Sequence, residues 1–425
     1  MKQTRDGIVA PGRGPSRRPR RLCFSRAQGM SSARHLLSIA ALHLCGALAD
    51  LIFSPPAQAA LLFSATLASF AAGNPCPPPH PWPPGPLCSS QYPAYVDIKS
   101  VPADLIVPNY TASFCPPAPG NRVLATLPGW PAGAPAAAPP PSECACAVAS
   151  NATAAFFMLY LPTDFDAARA EPYPVIVELP GNGPYTSPWG DKSNGRPDDT
   201  FLGFGITEGR GAIWAAVPLL TADGFFDQTL WWGCPLPADA HLCGHGNDTE
   251  GCISTAPPPT WEPPPAGCAS ATDTAASRAY LRAVVAHLVS AFNGDARRVV
   301  LAGFSRGAIG VNYIGLGDDE TAALWAGTVA YARYDGQPED LRWPYPENTP
   351  AAAYGRLRRL GARPHFVCSE LDSTLNQTKP FIEAAGFFVN ATYAATGFCN
   401  HNSEWVLRPS AARDELRAWF RGVVA

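Results

Sequence analysis

The chain has 425 residues, 47% of them hydrophobic and 15% charged, which is enough apolar material for one large core with appendages. Its net charge of −3 gives no electrostatic ground for a nucleic-acid partner. The basic cluster Arg17-Arg18-Pro19-Arg20-Arg21 falls in a stretch that reads as targeting.

Residues 1–73 form that leader. Leu36 to Leu42 are an apolar run that ends near Ala47-Leu48-Ala49, an A-x-A-like cleavage pattern; Ala57-Gln58-Ala59 is a second one, followed by another apolar run. A cleaved secretory signal is expected, with an uncleaved anchor or a transit peptide as alternatives. Asp50 and Ser54-Pro55-Pro56 interrupt the ~20 apolar residues a bilayer span requires, so membrane contact is expected only through an uncleaved leader. Five Asn-x-Thr acceptors, at Asn109, Asn151, Asn247, Asn376 and Asn390, fit secretion to the cell surface or beyond. So do the 13 cysteines: with Cys23 and Cys45 in the leader, eleven remain for an oxidising compartment.

Residues 74–150 are a Pro/Ala-rich arm, "NPCPPPHPWPPGP" and "GWPAGAPAAAPPPSE", which reads as an extended, solvated spacer. An ordered domain is expected over 151–425. Apolar strands are predicted at 155–162, 174–179, 211–220, 297–305, 324–332 and 365–370. Helices are predicted at 274–292, from Arg306 onward, and at 410–424. Continuously apolar strands alternating with helices define an α/β fold, a mostly parallel sheet covered on both faces. An insert at about 221–270 carries Cys234, Cys243, Cys252 and Cys268, with His241 and His245 among them. The wide cysteine spacing disfavours structural zinc, so no metal is expected; two disulfides should staple a lid.

The stretch "LAGFSRGAIG", residues 301–310, carries the chemistry. Ser305 stands between Gly303 and Gly307, after the apolar strand Val299 to Ala302 and before a helix, as a nucleophile elbow requires. A serine hydroxyl needs a base, and the base needs an acid to orient it. Only His365 and His401 follow Ser305 among the histidines. His365 opens a strand at the wrong end of the sheet, whereas His401 lies in the turn-rich "TGFCNHNSEW". Glu370 and Asp372 both follow the strand at 365–370; Asp372 is preferred, because a loop carboxylate bends toward an imidazole more readily. Asp318 and Asp319 are expected to be solvated.

This order of serine, acid and histidine resembles the α/β-hydrolase superfamily, and "GFSRGA" with the late "NH" is similar to its secreted, esterase-like members. "PVIVEL" followed by Pro180-Gly181-Asn182-Gly183 resembles that family's oxyanion loop, with Pro180-Gly181 in place of the usual His-Gly start. The resemblance implies that the backbone N–H groups of Arg306 and Asn182 hold the oxyanion. It implies a serine hydrolase working on small-molecule or polymer-linked carboxylic esters, without metal or organic cofactor. Trp189, Trp231 and Trp232 are expected to cap the crevice, either stacking on a sugar or aromatic acid or packing the lid. A serine peptidase and a non-catalytic surface binding protein are the alternatives. Acyl and alcohol specificity and oligomeric state are left open.

Overall fold

The computed structural model describes residues 94–109, 116–130, 155–182, 185–186, 190–220, 274–337, 345 and 347–425, all within one compact unit, Leu67–Ala425. The leader, the Cys-bearing insert with Trp231 and Trp232, Trp189, and the most Pro-rich parts of the arm lie outside the described residues.

In chain order the elements are β1 (Arg122–Ala125), β2 (Phe157–Tyr160), β3 (Tyr173–Leu179), β4 (Tyr185–Thr186), β5 (Lys192–Ser193), α1 (Leu202–Thr207), β6 (Ile213–Ala216), α2 (Ala275–Phe292) and β7 (Gly294–Phe304). They continue with α3 (Arg306–Tyr313), α4 (Asp319–Ala322), β8 (Gly327–Tyr331), α5 (Pro350–Arg358), β9 (His365–Ser369), α6 (Asp372–Glu383), β10 (Ala391–Ala395) and α7 (Ala411–Val423).

Eight strands make one sheet in the order β1-β2-β6-β3-β7-β8-β9-β10. β2 runs antiparallel to both its neighbours, and the pairings from β6 to β10 are parallel. All seven residues of β3 are buried, because helices cover both faces of the sheet. Val175, Val177, Val299 and Leu301 pack with α2 and α3 on one face. Ile176, Val300 and Ala302 pack with Trp214, Leu416 and Phe420 on the other. This alternation at period two is what a central strand must show.

The chain passes from β3 to β6 on one side, then crosses back to β7 on the other. The order therefore reverses at β3 and β7, and in such sheets a crevice opens beyond the carboxyl ends of those strands. Ser305 follows β7 there, and Pro180-Gly181-Asn182 follow β3.

Two expectations need correction. The strand predicted over 211–220 is confined to Ile213–Ala216, stopping short of Pro218, whose ring nitrogen has no N–H for the ladder. The arm is also not all spacer. Arg122–Ala125 pairs with β2 as the edge strand, and Val96 makes a parallel bridge to Phe398. Order thus begins well before residue 151, since short apolar runs such as "RVLA" find partners on the domain.

Candidate active site

Ser305 joins β7 to α3 with φ 54° and ψ −119°, a backbone conformation that non-glycine residues rarely adopt. The flanking glycines make the turn sterically feasible. A Cβ on Gly303 would stand 2.1 Å from the Gly307 carbonyl oxygen, and one on Gly307 would stand 2.1 Å from that of Leu179. The same closeness brings the start of α3 against the loop after β3. The Ser305 N–H is tied to the Tyr331 carbonyl of β8 at 2.9 Å, which locks the elbow to the sheet.

His401 stands over this serine, its Nε2 2.8 Å from Ser305 Oγ. Its Nδ1 lies 2.7 Å from Glu370 Oε1. An ionised carboxylate only accepts, so Nδ1 carries the proton and Nε2 is left bare to accept the serine O–H. The imidazole rests on the Phe304 ring, centroids 4.8 Å apart. Its backbone is braced on both sides: the His401 N–H donates to Asp191 Oδ1 at 2.8 Å, and the Lys192 N–H donates to the His401 carbonyl at 3.0 Å. Asn402 adds a bond from Nδ2 to the Gly190 carbonyl at 2.8 Å.

The acid beside the histidine is Glu370, where Asp372 was the preferred residue from sequence. Glu370 is the first residue beyond β9, and its second oxygen accepts the Ser369 hydroxyl at 2.9 Å. Burial works to raise its carboxyl, but the His401 charge and hydrogen bond, its own backbone N–H and the Arg333 charge outweigh burial and hold it below the usual range. Asp372 opens α6 on the exposed side, where its carboxylate accepts the Tyr95 hydroxyl at 2.5 Å. The reversal has a simple cause: α6 begins immediately after Leu371, so there is no loop in which Asp372 might swing toward the ring.

The remaining sequence-singled residues are placed as follows. Arg306 is the first residue of α3, so its backbone N–H lies in the first turn of that helix. Asn182 is half-buried in the loop after β3. His365 is fully buried far from the site chemistry, between Thr328 Oγ1 at 2.7 Å and Tyr334 Oη at 3.0 Å, and burial pushes it down to about 4. Asp319 is exposed as expected, but Asp318 is not simply solvated: it caps α4 and pairs with Arg278 at 2.8 Å. Asp191, Lys192 and Tyr331 had no sequence signal. Their roles arise from backbone hydrogen bonds between segments distant in the chain, which no periodicity reports.

No family model matches the chain, and no curated protein does. Solved structures similar to it include esterases and an S-formylglutathione hydrolase. One is a thermostable esterase at 14% identity and TM-score 0.32, covering 63% of this chain; the chain spans 59% of that protein's length. Another is a glucuronoyl esterase from Solibacter usitatus at 15% identity and TM-score 0.35, with 64% and 78% covered. A third is an S-formylglutathione hydrolase from Agrobacterium tumefaciens at 15% identity and TM-score 0.38, with 64% and 90% covered. These likenesses are distant, and the functional reading rests on the geometry around Ser305.

Proposed function

We propose that the protein hydrolyses carboxylic esters by acyl transfer to Ser305. The observation that carries this reading is a single imidazole bridging Ser305 Oγ at 2.8 Å and Glu370 Oε1 at 2.7 Å. His401 Nε2 takes the hydroxyl proton as Oγ attacks the acyl carbon, while Glu370 stabilises the imidazolium. The N–H groups of Arg306 and Asn182 hold the charge on the carbonyl oxygen. The adduct collapses, His401 protonates the departing alcohol, and water then repeats the sequence to free the acid and Ser305.

The substrates in this reading are esters on a carbohydrate or an aromatic acid, with Trp189, Trp231 and Trp232 as the surfaces that select them. The compartment is the secretory route, since the acceptor asparagines Asn109, Asn376 and Asn390 are all exposed. Labelling with a fluorophosphonate probe, followed by turnover of a panel of short-chain and aromatic esters, tests the proposal. Ser305→Ala should remove both labelling and turnover from a folded protein; undiminished turnover in that variant excludes the mechanism.

A further inference from the structure

Ser193 ends β5, is 6% exposed, and has a hydroxyl with no hydrogen-bond partner among the described residues. Leaving a buried hydroxyl unpaired is costly, so such an atom in a native fold calls for a reason. Its position supplies one. Ser193 Oγ lies 2.2 Å from where a Cβ on Gly181 would be, and that Cβ would also stand 2.9 Å from the ring of Phe304. Only a glycine at 181 lets the hydroxyl reach this loop, and Phe304 is covalently joined to Ser305.

The chain around Ser193 is fixed to the same site. Asp191 and Lys192 hold the His401 backbone from both sides, at 2.8 and 3.0 Å. β4 pairs antiparallel with β5, with Tyr185 and Ser193 at the same register position. Ser193 is thus held between the segment that carries the base and the segment that carries Asn182.

We propose that the Ser193 hydroxyl is a third donor to the oxyanion, beside the N–H groups of Asn182 and Arg306; this rests on the esterase reading above. It donates a hydrogen bond to the oxygen that becomes negative as Ser305 adds to the carbonyl, and releases it when the adduct collapses. The Ser193 O–H bond stays intact throughout, and no co-reactant is required. With no described residue taking its hydrogen bond in the resting protein, the contribution assigned to this hydroxyl is to the transition state.

The test compares wild type, Ser193→Ala, Ser193→Thr and Ser305→Ala, using an aromatic ester as substrate and an aryl boronic acid as the tetrahedral probe. Ser193→Ala should lower kcat by about 10²–10³-fold with KM nearly unchanged, the usual loss for one oxyanion donor. Boronate affinity should fall with it. The melting temperature should hold or rise, because no resting-state bond is removed, and Ser193→Thr should recover part of the rate. Wild-type kcat and boronate affinity in Ser193→Ala overturn the proposal, as does a rate loss that merely follows a lowered melting temperature. Turnover surviving in Ser305→Ala overturns the esterase reading itself, whatever Ser193 does.

Discussion

Glu370 shows how little room a carboxylate paired with an imidazole has. One oxygen meets His401 Nδ1 and the other is held by Ser369, so the carboxylate has a fixed direction as well as a charge. Its carboxyl sits below the usual range, so its stabilising contribution is present above the unfolded value near 4.5 and is lost as pH falls through the lower folded value. At neutral pH it is ionised and selects the Nδ1–H tautomer. Glu370→Gln should therefore lower kcat by roughly 10⁴-fold, the magnitude seen when a triad acid becomes an amide. Asp372→Asn should leave most of the rate and disturb the contact to Tyr95. Steady-state turnover of one ester by the two variants decides between them; the opposite ranking returns the role to Asp372. That Ser305 and His401 would be brought together was legible in the sequence, because a strand–glycine–serine–glycine–helix run and a late loop histidine each have a local signature. The choice between two acids two residues apart was not. It depends on where β9 stops and α6 starts, and helix boundaries are the least legible feature of a sequence.

At the level of elements, β3 carries an acid that no chemistry above uses. Glu178 is wholly buried, and it accepts the N–H groups of Phe201, Leu202 and Gly203 at the start of α1 and the Trp214 indole N–H, at 2.9–3.2 Å. Burial pushes it up from 4.5 to about 7, against the pull of these donors. A raised folded value means the native state holds its proton where the unfolded chain has lost it. Stability should accordingly fall as pH rises from about 4.5 to about 7, by roughly 3 kcal/mol, and change little beyond that from this group. Urea midpoints across that window should show the slope, and Glu178→Gln should flatten it; an unchanged slope would assign the pH dependence elsewhere. The elbow is equally demanding on backbone. Gly303→Ala forces a Cβ onto the Gly307 carbonyl oxygen, which cannot rotate away, so it should destabilise by about 1–3 kcal/mol or more in the same measurement. The buried strands β3 and β7 and the helices α2 and α7 were visible as apolar runs and helical periods. β1 and β10 were not, since each lies at a sheet edge and β10 is mostly half-buried, which erases the contrast a pattern needs.

Across the whole molecule, the loop that bears His401 depends on a segment about three hundred residues earlier. Val96 exchanges backbone hydrogen bonds with Gly397 and Cys399, both at 3.2 Å, and the Ile98 N–H donates to Asn400 Oδ1 at 2.7 Å. The Tyr95 hydroxyl meets Asp372 two residues past Glu370, and Arg413 of α7 grips Asp104 through both terminal guanidinium nitrogens. Ile98 is the apolar anchor of this strap, 2% exposed and packed into the core on the α7 face of the sheet. Proline-rich sequence hides such a strap: it has no period of its own, and its path is dictated by the surface on which it docks. Ile98→Ala deletes buried methyl groups worth roughly 2–5 kcal/mol of packing. The loss should fall first on the strap and the loop beneath it, because β3 and β7 keep all their own contacts. Hydrogen exchange should then speed up at amides 397–402 while those of β3 and β7 stay protected. Ester turnover should fall with it, since His401 is held in place partly by its neighbours Cys399 and Asn400. Unchanged protection at 397–402 in Ile98→Ala would mean that Asp191 and Lys192 hold the loop without help from the strap.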